Sequence, residues 1–449
     1  MRFFKKKSRN LVFILIFCSI NCNTPNHTKG AVLLTVVDLF AGCGGLSLGL
    51  ERAGFETVFV NELHPDAMKT FVMNRPNSPI QNPKYQVLDI LKLTRKKADL
   101  QALATHLNKE YKGIDLVVGG PPCQGFSGIG HRRSFEVTKE DIPTNHLYRE
   151  MAKVVTEIAP KAFVFENVRG LLNSRWTPDG EKGEIWNDVL KTFQKITVKV
   201  GEKTLSYRIG HELVYAKDYG VPQNRPRIVM IGIREDIPVK MDSKLVGSGL
   251  IPQPTGGAPD PIDLLSDLVD PKWIGGESTL IYPKEARSKF QKLLRVDPLT
   301  GKVLGKGSAV TDHEYSKHSE LVMKKFQYMI DNEGSIANSM KTKKFAQRLL
   351  PERWGKGGPN ITATSLPDDY VHYLQPRVLT VREWARLQTF PDWYQFNGKR
   401  TTGGRRRAGD LEVGDWSRDL PKYTQIGNAV PVLLGEAIGK HLKKIITSK

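Results

Sequence analysis

The chain has 449 residues, of which 39% are hydrophobic and 25% charged. This balance excludes a disordered or membrane-embedded polymer and leaves room for a large core with a second domain. Its formal net charge of +20 points to a polyanionic partner, and its four cysteines, at positions 18, 22, 43 and 123, have neither zinc-ligand spacing nor the density of a disulfide scaffold.

Residues 1–32 stand apart. Arg2, Lys5, Lys6, Lys7 and Arg9 precede a short apolar run, Leu11 to Ile20, in imitation of a secretory signal. The run is too short to span a bilayer, and no convincing cleavage site follows it. The stretch reads as a disordered leader or a start codon assigned too early, and the remainder as a cytoplasmic protein. A start near Val32 would remove six basic charges and leave +14.

The folded pattern opens at Leu33 to Leu39, an apolar strand containing Asp38. The turn Phe40-Ala41-Gly42-Cys43-Gly44-Gly45 follows, then a helix from Leu46 to Ala53 that Gly54 ends. Strand, glycine-rich turn and helix open a nucleotide-type βαβ unit, although the turn is neither a Gly-x-Gly-x-x-Gly cradle nor a P-loop. A second strand, Thr57 to Val60, ends at Asn61-Glu62, where a carboxylate suits the hydroxyls of a ribose. A third ends at Val87-Leu88-Asp89-Ile90. Acidic strand tips are often only helix caps, but two in consecutive units favour an adenosine-containing ligand.

Ile114 to Val118 is a buried strand that Gly119-Gly120-Pro121-Pro122 stops sharply, and Cys123 follows at once. A thiol on a rigid turn at the carboxyl end of a strand is placed for nucleophilic attack; the plainer alternative is a small residue packed under a loop. Residues 126–145, with His131-Arg132-Arg133, read as a loop with phosphate-seeking side chains. A helix capped by Thr144 or Asn145 presents Leu147, Met151, Val154, Val155 and Ile158 on one face and ends at Pro160. The strand Ala162 to Phe165 delivers Glu166-Asn167-Val168 to the same crevice as Cys123, as an acid able to hold a proton. After a strand from Tyr207 to Tyr215, Gln223-Asn224-Arg225-Pro226-Arg227 precedes the strand Ile228 to Ile233. Two arginines two apart on extended backbone point the same way, suiting phosphate or carbonyl oxygens.

From Glu235 to Pro376 prolines, glycines and polar residues replace the strand-helix rhythm, marking a second domain. Within it, residues 271–360 hold 17 basic and 9 acidic side chains interleaved with Trp273, Tyr282, Tyr315 and Trp354, a candidate nucleic-acid face. Thr380 and Glu383 have capping-box spacing, and Lys399 to Arg407 forms a basic loop. Gly427-Asn428-Ala429-Val430-Pro431 introduces a last helix with Leu434, Ala437, Ile438 and His441 on one face.

No single feature decides the function, but their order does. Asp38-Leu-Phe-Ala-Gly-Cys-Gly-Gly, Asn61-Glu62, Leu88-Asp89-Ile90, Gly119-Gly-Pro-Pro-Cys-Gln-Gly-Phe-Ser, Phe165-Glu-Asn-Val, Gln223-x-Arg-x-Arg, Arg377-x-Leu-Thr-x-Arg-Glu and Gly427-Asn-Ala-Val together resemble the DNA (cytosine-5)-methyltransferases of bacterial restriction-modification systems, over residues 33–442. The resemblance implies an α/β fold: a Rossmann-like S-adenosylmethionine-dependent catalytic domain with a mostly parallel sheet over 33–234, a smaller irregular target recognition domain over 235–376, and a segment 377–449 that completes the catalytic domain. It implies a Cys123 nucleophile, with Glu166, Arg225 and Arg227 handling the target cytosine. S-adenosylmethionine would be held by Phe40, Ala41, Gly42, Gly44, Glu62, Asp89, Ile90, Pro122 and Asn428. Gln124, Ser127, Arg132, Arg133 and Gln223 would touch duplex DNA. No metal is implied, and the protein is expected to be a nucleoid-associated monomer paired with a restriction endonuclease. Leu63 departs from the aromatic that many relatives carry after the acid. An RNA cytosine methyltransferase and a solitary regulatory DNA methyltransferase share these motifs and stay open as alternatives. A nicotinamide-dependent dehydrogenase would share the fold but leaves the Pro-Pro-Cys turn unexplained.

Overall fold

The apolar runs converge in one sheet. The computed structural model describes residues 33–122, 143–341, 347–354, 358–361, 370–401 and 419–448. The strands are β1 (Leu34–Leu39), β2 (Phe55–Asn61), β3 (Gln86–Val87), β4 (Leu116–Gly119), β5 (Ala162–Val168), a small hairpin of β6 (Val198–Val200) and β7 (Lys203–Leu205), then β8 (Tyr207–Tyr215) and β9 (Pro226–Arg234), and a short separate parallel pair of β10 (Arg348–Leu349) and β11 (Tyr370–Val371). The main sheet has the order β3-β2-β1-β4-β5-β9-β8. Contacts among the first five strands are parallel, whereas β9 runs antiparallel to both neighbours. Every residue of β1 and β4 is buried, because helices cover both faces of a parallel sheet and strand sequences there read as unbroken apolar runs.

Register decides what the sheet can present. Leu39 lies opposite Asn61 and Gly119, and Gly119 lies opposite Phe165. Phe40, Glu62 and Gly120 therefore leave the sheet along one edge, and Glu166, still paired with Val229 of β9, passes beyond the β4 pairing at that edge, the carboxyl edge where α/β folds bind ligands. Because β9 is antiparallel, Arg227 pairs with Val168 and enters at that same edge.

The helices are α1 (Gly45–Ala53), α2 (Pro65–Met73), α3 (Ile90–Thr94), α4 (Lys97–Tyr111), α5 (Leu147–Ile158), α6 (Glu184–Gln194), α7 (Pro261–Leu265), α8 (Lys289–Leu294), α9 (Glu320–Asp331), α10 (Val381–Leu387), α11 (Lys422–Asn428) and α12 (Val432–Thr447). Neither Thr144 nor Asn145 caps α5; a 3₁₀ turn over 143–146 leads into it instead, and the αL residue Ala159 closes it. The last helix returns to the first. A Cβ on Gly49 would collide with the Val432 carbonyl and one on Gly435 would stand 2.9 Å from the Leu46 carbonyl oxygen, so the glycines let α1 and α12 meet backbone to backbone.

A second core crosses the boundary expected at 376. Leu264, Leu265, Tyr282, Leu294 and Val310 pack with Leu379, Trp384, Leu387, Tyr394 and Tyr423, and the cluster reaches Cys43 and Leu48 beside the first turn. Tyr282 is fully buried within this core and Tyr315 is fully buried beside His313 and Trp273, so neither side chain lies on an exposed nucleic-acid face. The Thr380–Glu383 capping box is formed, and Glu383 also takes a two-pronged contact from Arg377 at 2.8 and 2.7 Å. Burial alone would raise the Glu383 carboxyl, but the Arg377 guanidinium holds it well below the usual carboxylate range.

Two histidines beside this pair give the fold an acid limb. Burial pushes His313 down to about 4 and His372 down to about 3, with Arg377 adding to the effect in both. Each is neutral when folded and gains a proton on unfolding below its ordinary value of about 6.5. Their contribution to stability is therefore complete above that pH and is lost as pH falls toward 4 and 3, at up to about 1.4 kcal/mol per pH unit each. Thermal melts between pH 7 and 4 should show a shallower fall for His372→Asn than for the wild type; parallel curves would contradict this.

Candidate active site

On the cofactor side, the turn after β1 carries three left-handed residues, Phe40 (φ 57°), Gly42 (φ 56°) and Gly44 (φ 85°). Phe40 is the costly one, since a Cβ disfavours that region. The tip of β2 fixes the turn: Ala41 N–H donates to the Asn61 carbonyl (2.9 Å), Phe40 N–H to Asn61 Oδ1 (3.3 Å) and Gly42 N–H to Glu62 Oε2 (2.8 Å). Asn61 in turn donates to the carbonyls of Val87 and Leu88 at 2.8 and 2.9 Å, tying three strand ends together. Burial raises the Glu62 carboxyl, against backbone N–H donors from His64 and Gly42 that lower it. A Cβ at Gly42 would meet nothing within 4 Å, so this face of the turn is open.

Asp89 is a cap as well as an acidic tip: its Oδ1 accepts from Leu91 N–H at 2.9 Å and starts α3. The strand before it has only two residues. Ile90, expected beside an adenine ring, is buried in the sheet core, where the 3.6-residue period of α3 turns it inward. Leu63 is exposed. Pro122 is half-buried at the end of the described turn, and Asn428 is exposed at the end of α11.

On the catalytic side, Glu166 is buried at the tip of β5. Its Oε1 lies 2.7 Å from Arg227 Nε, a close ion contact rather than an aligned hydrogen bond. Burial lowers the Arg227 guanidinium and Glu166 opposes that shift. Gly120 explains how the acid reaches the turn: a Cβ there would stand 3.1 Å from Glu166 Oε2. Asn167 donates from Nδ2 to the Pro121 carbonyl (3.1 Å) and so pins the same turn. Cys123, Gln124, Ser127, Arg132 and Arg133 lie outside the described residues.

The Gln-x-Arg-x-Arg motif divides by role. Gln223, expected against DNA, is fully buried. It donates to the Leu387 carbonyl (2.5 Å) and Gln388 Oε1 (3.0 Å) and accepts from Ile361 N–H (3.3 Å), which leaves it no path to DNA. Arg225 is also buried, and it donates to the carbonyls of Ile361 (3.0 Å) and Gly427 (2.6 Å). Burial, then the neighbouring Arg227, pushes the Arg225 guanidinium well down. Residues 223 and 225 thus bolt the β8–β9 turn to the second core and to the peptide before Asn428, and only Arg227 faces Glu166. Alternation along an extended segment does not distinguish a ligand-facing pocket from an interdomain seam, so both arginines look alike in sequence. Among the described residues, no group of three or more His, Cys, Asp or Glu side chains is placed to hold a metal, and no helix is long and apolar enough to cross a membrane.

A mostly parallel sheet in this order, closed by an antiparallel β9–β8 pair and carrying a glycine turn and an acidic β2 tip at its carboxyl edge, is the fold of an S-adenosylmethionine-dependent methyltransferase. A crystal structure of a protein assigned as a DNA modification methyltransferase, encoded within an E. coli prophage, superposes with a TM-score of 0.62 at 26% identity, covering 92% of this chain and all of that one. The type II methyltransferase M.DdeI of Desulfomicrobium norvegicum is 30% identical over 91% of this chain and 88% of its own length, and M1.HphI of Haemophilus parahaemolyticus is 29% identical over 97% and 93%. The sequence model of the C-5 cytosine-specific DNA methylases matches residues 34–444. The chain belongs to that family.

Proposed function

We propose that this chain is a DNA (cytosine-5)-methyltransferase that moves a methyl group from S-adenosylmethionine to carbon 5 of a cytosine in a specific duplex site. The observation that carries the reading is Glu166 standing against Gly120, at the turn that leads to Cys123, with Arg227 2.7 Å away. A carboxyl and a guanidinium at one strand edge, with a cysteine next in sequence after Pro122, match the demands of cytosine. Carbon 6 must be attacked, and the charge that then develops on the ring must be held.

The Cys123 thiolate adds to carbon 6 while Glu166 hydrogen-bonds ring nitrogen 3 and the exocyclic amine, and Arg227 holds the base oxygen. The electron pair released to carbon 5 forms the new carbon–methyl bond, and the donor's sulfur–methyl bond would break with its electrons staying on sulfur, leaving S-adenosylhomocysteine. A base then removes the carbon-5 proton, and the returning electrons expel Cys123 as thiolate. The target cytosine must leave the duplex, at a cost of a few kcal/mol.

The residues at the carboxyl edge suit the methyl donor. Both oxygens of Glu62 accept backbone N–H groups, and each keeps a lone pair for a ribose hydroxyl. Asp89 has a second oxygen for the adenine amine, and Phe40, Ala41, Gly42, Gly44, Pro122 and Asn428 would complete the pocket. When bound, S-adenosylmethionine supplies the electrophilic methyl group. Residues 235–376 provide target recognition, and the modification protects host DNA from a partner endonuclease. Bisulfite sequencing of DNA from cells expressing the protein should reveal unconverted cytosines within one recurring site. Complete conversion everywhere would contradict the reading.

A further inference from the structure

The turn after β1 is held from a direction that none of the family motifs announces. Its Phe40 sits in a left-handed region that an L-residue adopts only at a cost, so neighbours must over-determine the turn. Asn61 and Glu62 account for the N–H groups of residues 40, 41 and 42. The carbonyls at its far end are held by two other side chains. Tyr394 donates its hydroxyl to the Cys43 carbonyl at 2.6 Å and accepts from Arg75 Nη1 at 3.1 Å. Arg75 reaches the Gly44 carbonyl with Nη2 at 3.3 Å.

Both residues are buried, and the Arg75 charge is fully placed. Its Nε meets Glu51 Oε1 at 2.6 Å, Nη1 also donates to the Phe71 carbonyl at 2.8 Å, and the guanidinium lies over the Phe71 ring 3.8 Å from its centre. Tyr394 belongs to the second core, which continues into the expected recognition region. Gly44 is a glycine for the same reason, since a Cβ there would stand 2.8 Å from the Tyr394 hydroxyl and from Phe71.

We infer that Arg75 and Tyr394 are positioning residues for the methyl donor. By clamping the Cys43 and Gly44 carbonyls, they hold Phe40 to Gly44 in the shape that receives S-adenosylmethionine. The inference rests on the methyltransferase reading above. Tyr394→Phe removes one oxygen and keeps the ring in its core. Arg75→Lys keeps the charge beside Glu51 but loses the fork that spans Tyr394 and Gly44.

The test is calorimetric titration of the full chain with S-adenosylhomocysteine, a non-reacting probe of the same site. Alongside it, duplex DNA affinity without cofactor and the melting temperature are measured. Tyr394→Phe should weaken the nucleoside about three- to tenfold, the loss of one buried hydrogen bond, and Arg75→Lys by at least as much. DNA affinity should stay within twofold. Nucleoside affinity within twofold of wild type in both variants, or an equal loss toward both ligands, would overturn the inference by leaving only a packing role. A wild-type chain that binds no nucleoside would instead overturn the methyltransferase reading, and the inference with it.

Discussion

Glu166→Gln should lower the single-turnover rate of methyl transfer by about 10²–10³-fold, the range for losing one positioned group that acts on developing charge or a proton. The amide keeps the shape of the acid beside Gly120 and can still hydrogen-bond the base, but it cannot supply a proton to ring nitrogen 3. The change also leaves the half-buried Arg227 without its countercharge, so a lower melting temperature should accompany the rate loss. DNA binding should change little, because the acid acts after the base has left the duplex. Rapid-quench measurement at saturating cofactor separates the effects. A rate within fivefold of wild type would remove Glu166 from the chemistry.

Arg386→Leu should be the most damaging single change to stability. Arg386 meets Asp267 at 2.6 and 3.0 Å and Asp392 at 3.0 and 2.6 Å, and it donates to the Leu264 carbonyl at 2.7 Å. All three charged side chains are almost completely enclosed. Tyr282 donates to Asp392 at 2.7 Å and Arg295 meets Asp267 at 3.2 Å. Burial favours a neutral Asp392, yet Arg386 keeps that carboxyl below its ordinary value. Removing one partner of such a buried pair costs about 3–5 kcal/mol, because both carboxylates lose their closest countercharge and keep only Arg295 at 3.2 Å from Asp267 and Arg382 at 3.9 Å from Asp392. A fall in melting temperature of about 3–6 °C, or insoluble protein, is the expected outcome. Arg386→Lys should lie between the two, since an ammonium cannot fork onto both carboxylates. Equal melting of Arg386→Leu and wild type would show that the network contributes nothing net.

Much of the sheet could be read directly. Leu34–Leu39, Leu116–Gly119 and Ala162–Val168 are apolar runs because parallel strands are buried on both faces, and that pattern needs no tertiary information. The short edge strand at Gln86–Val87 was visible mainly through its acidic tip. Helix Lys97–Tyr111 has a faint signature, because only Leu100, Ala104 and Leu107 carry the helical period into the core. The second core was hidden for a physical reason. Arg386 and Asp267 are 119 positions apart and Tyr394 and Cys43 are 351 apart, and local periodicity has no access to pairings of that range. The site itself divides the same way. Glu62 and Glu166 end strands, so their edge follows from the strand pattern. Gln223 and Arg225 are polar residues satisfied across a buried seam, and only the folded chain separates them from Arg227.

The central claim is tested most directly by incubating the purified chain with S-adenosylmethionine carrying a labelled methyl group and either duplex genomic DNA or transfer RNA. Label is expected in duplex DNA, recovered as 5-methylcytosine after digestion, and should be lost with Cys123→Ser. Label confined to transfer RNA, or label in DNA on any atom other than carbon 5 of cytosine, would contradict it.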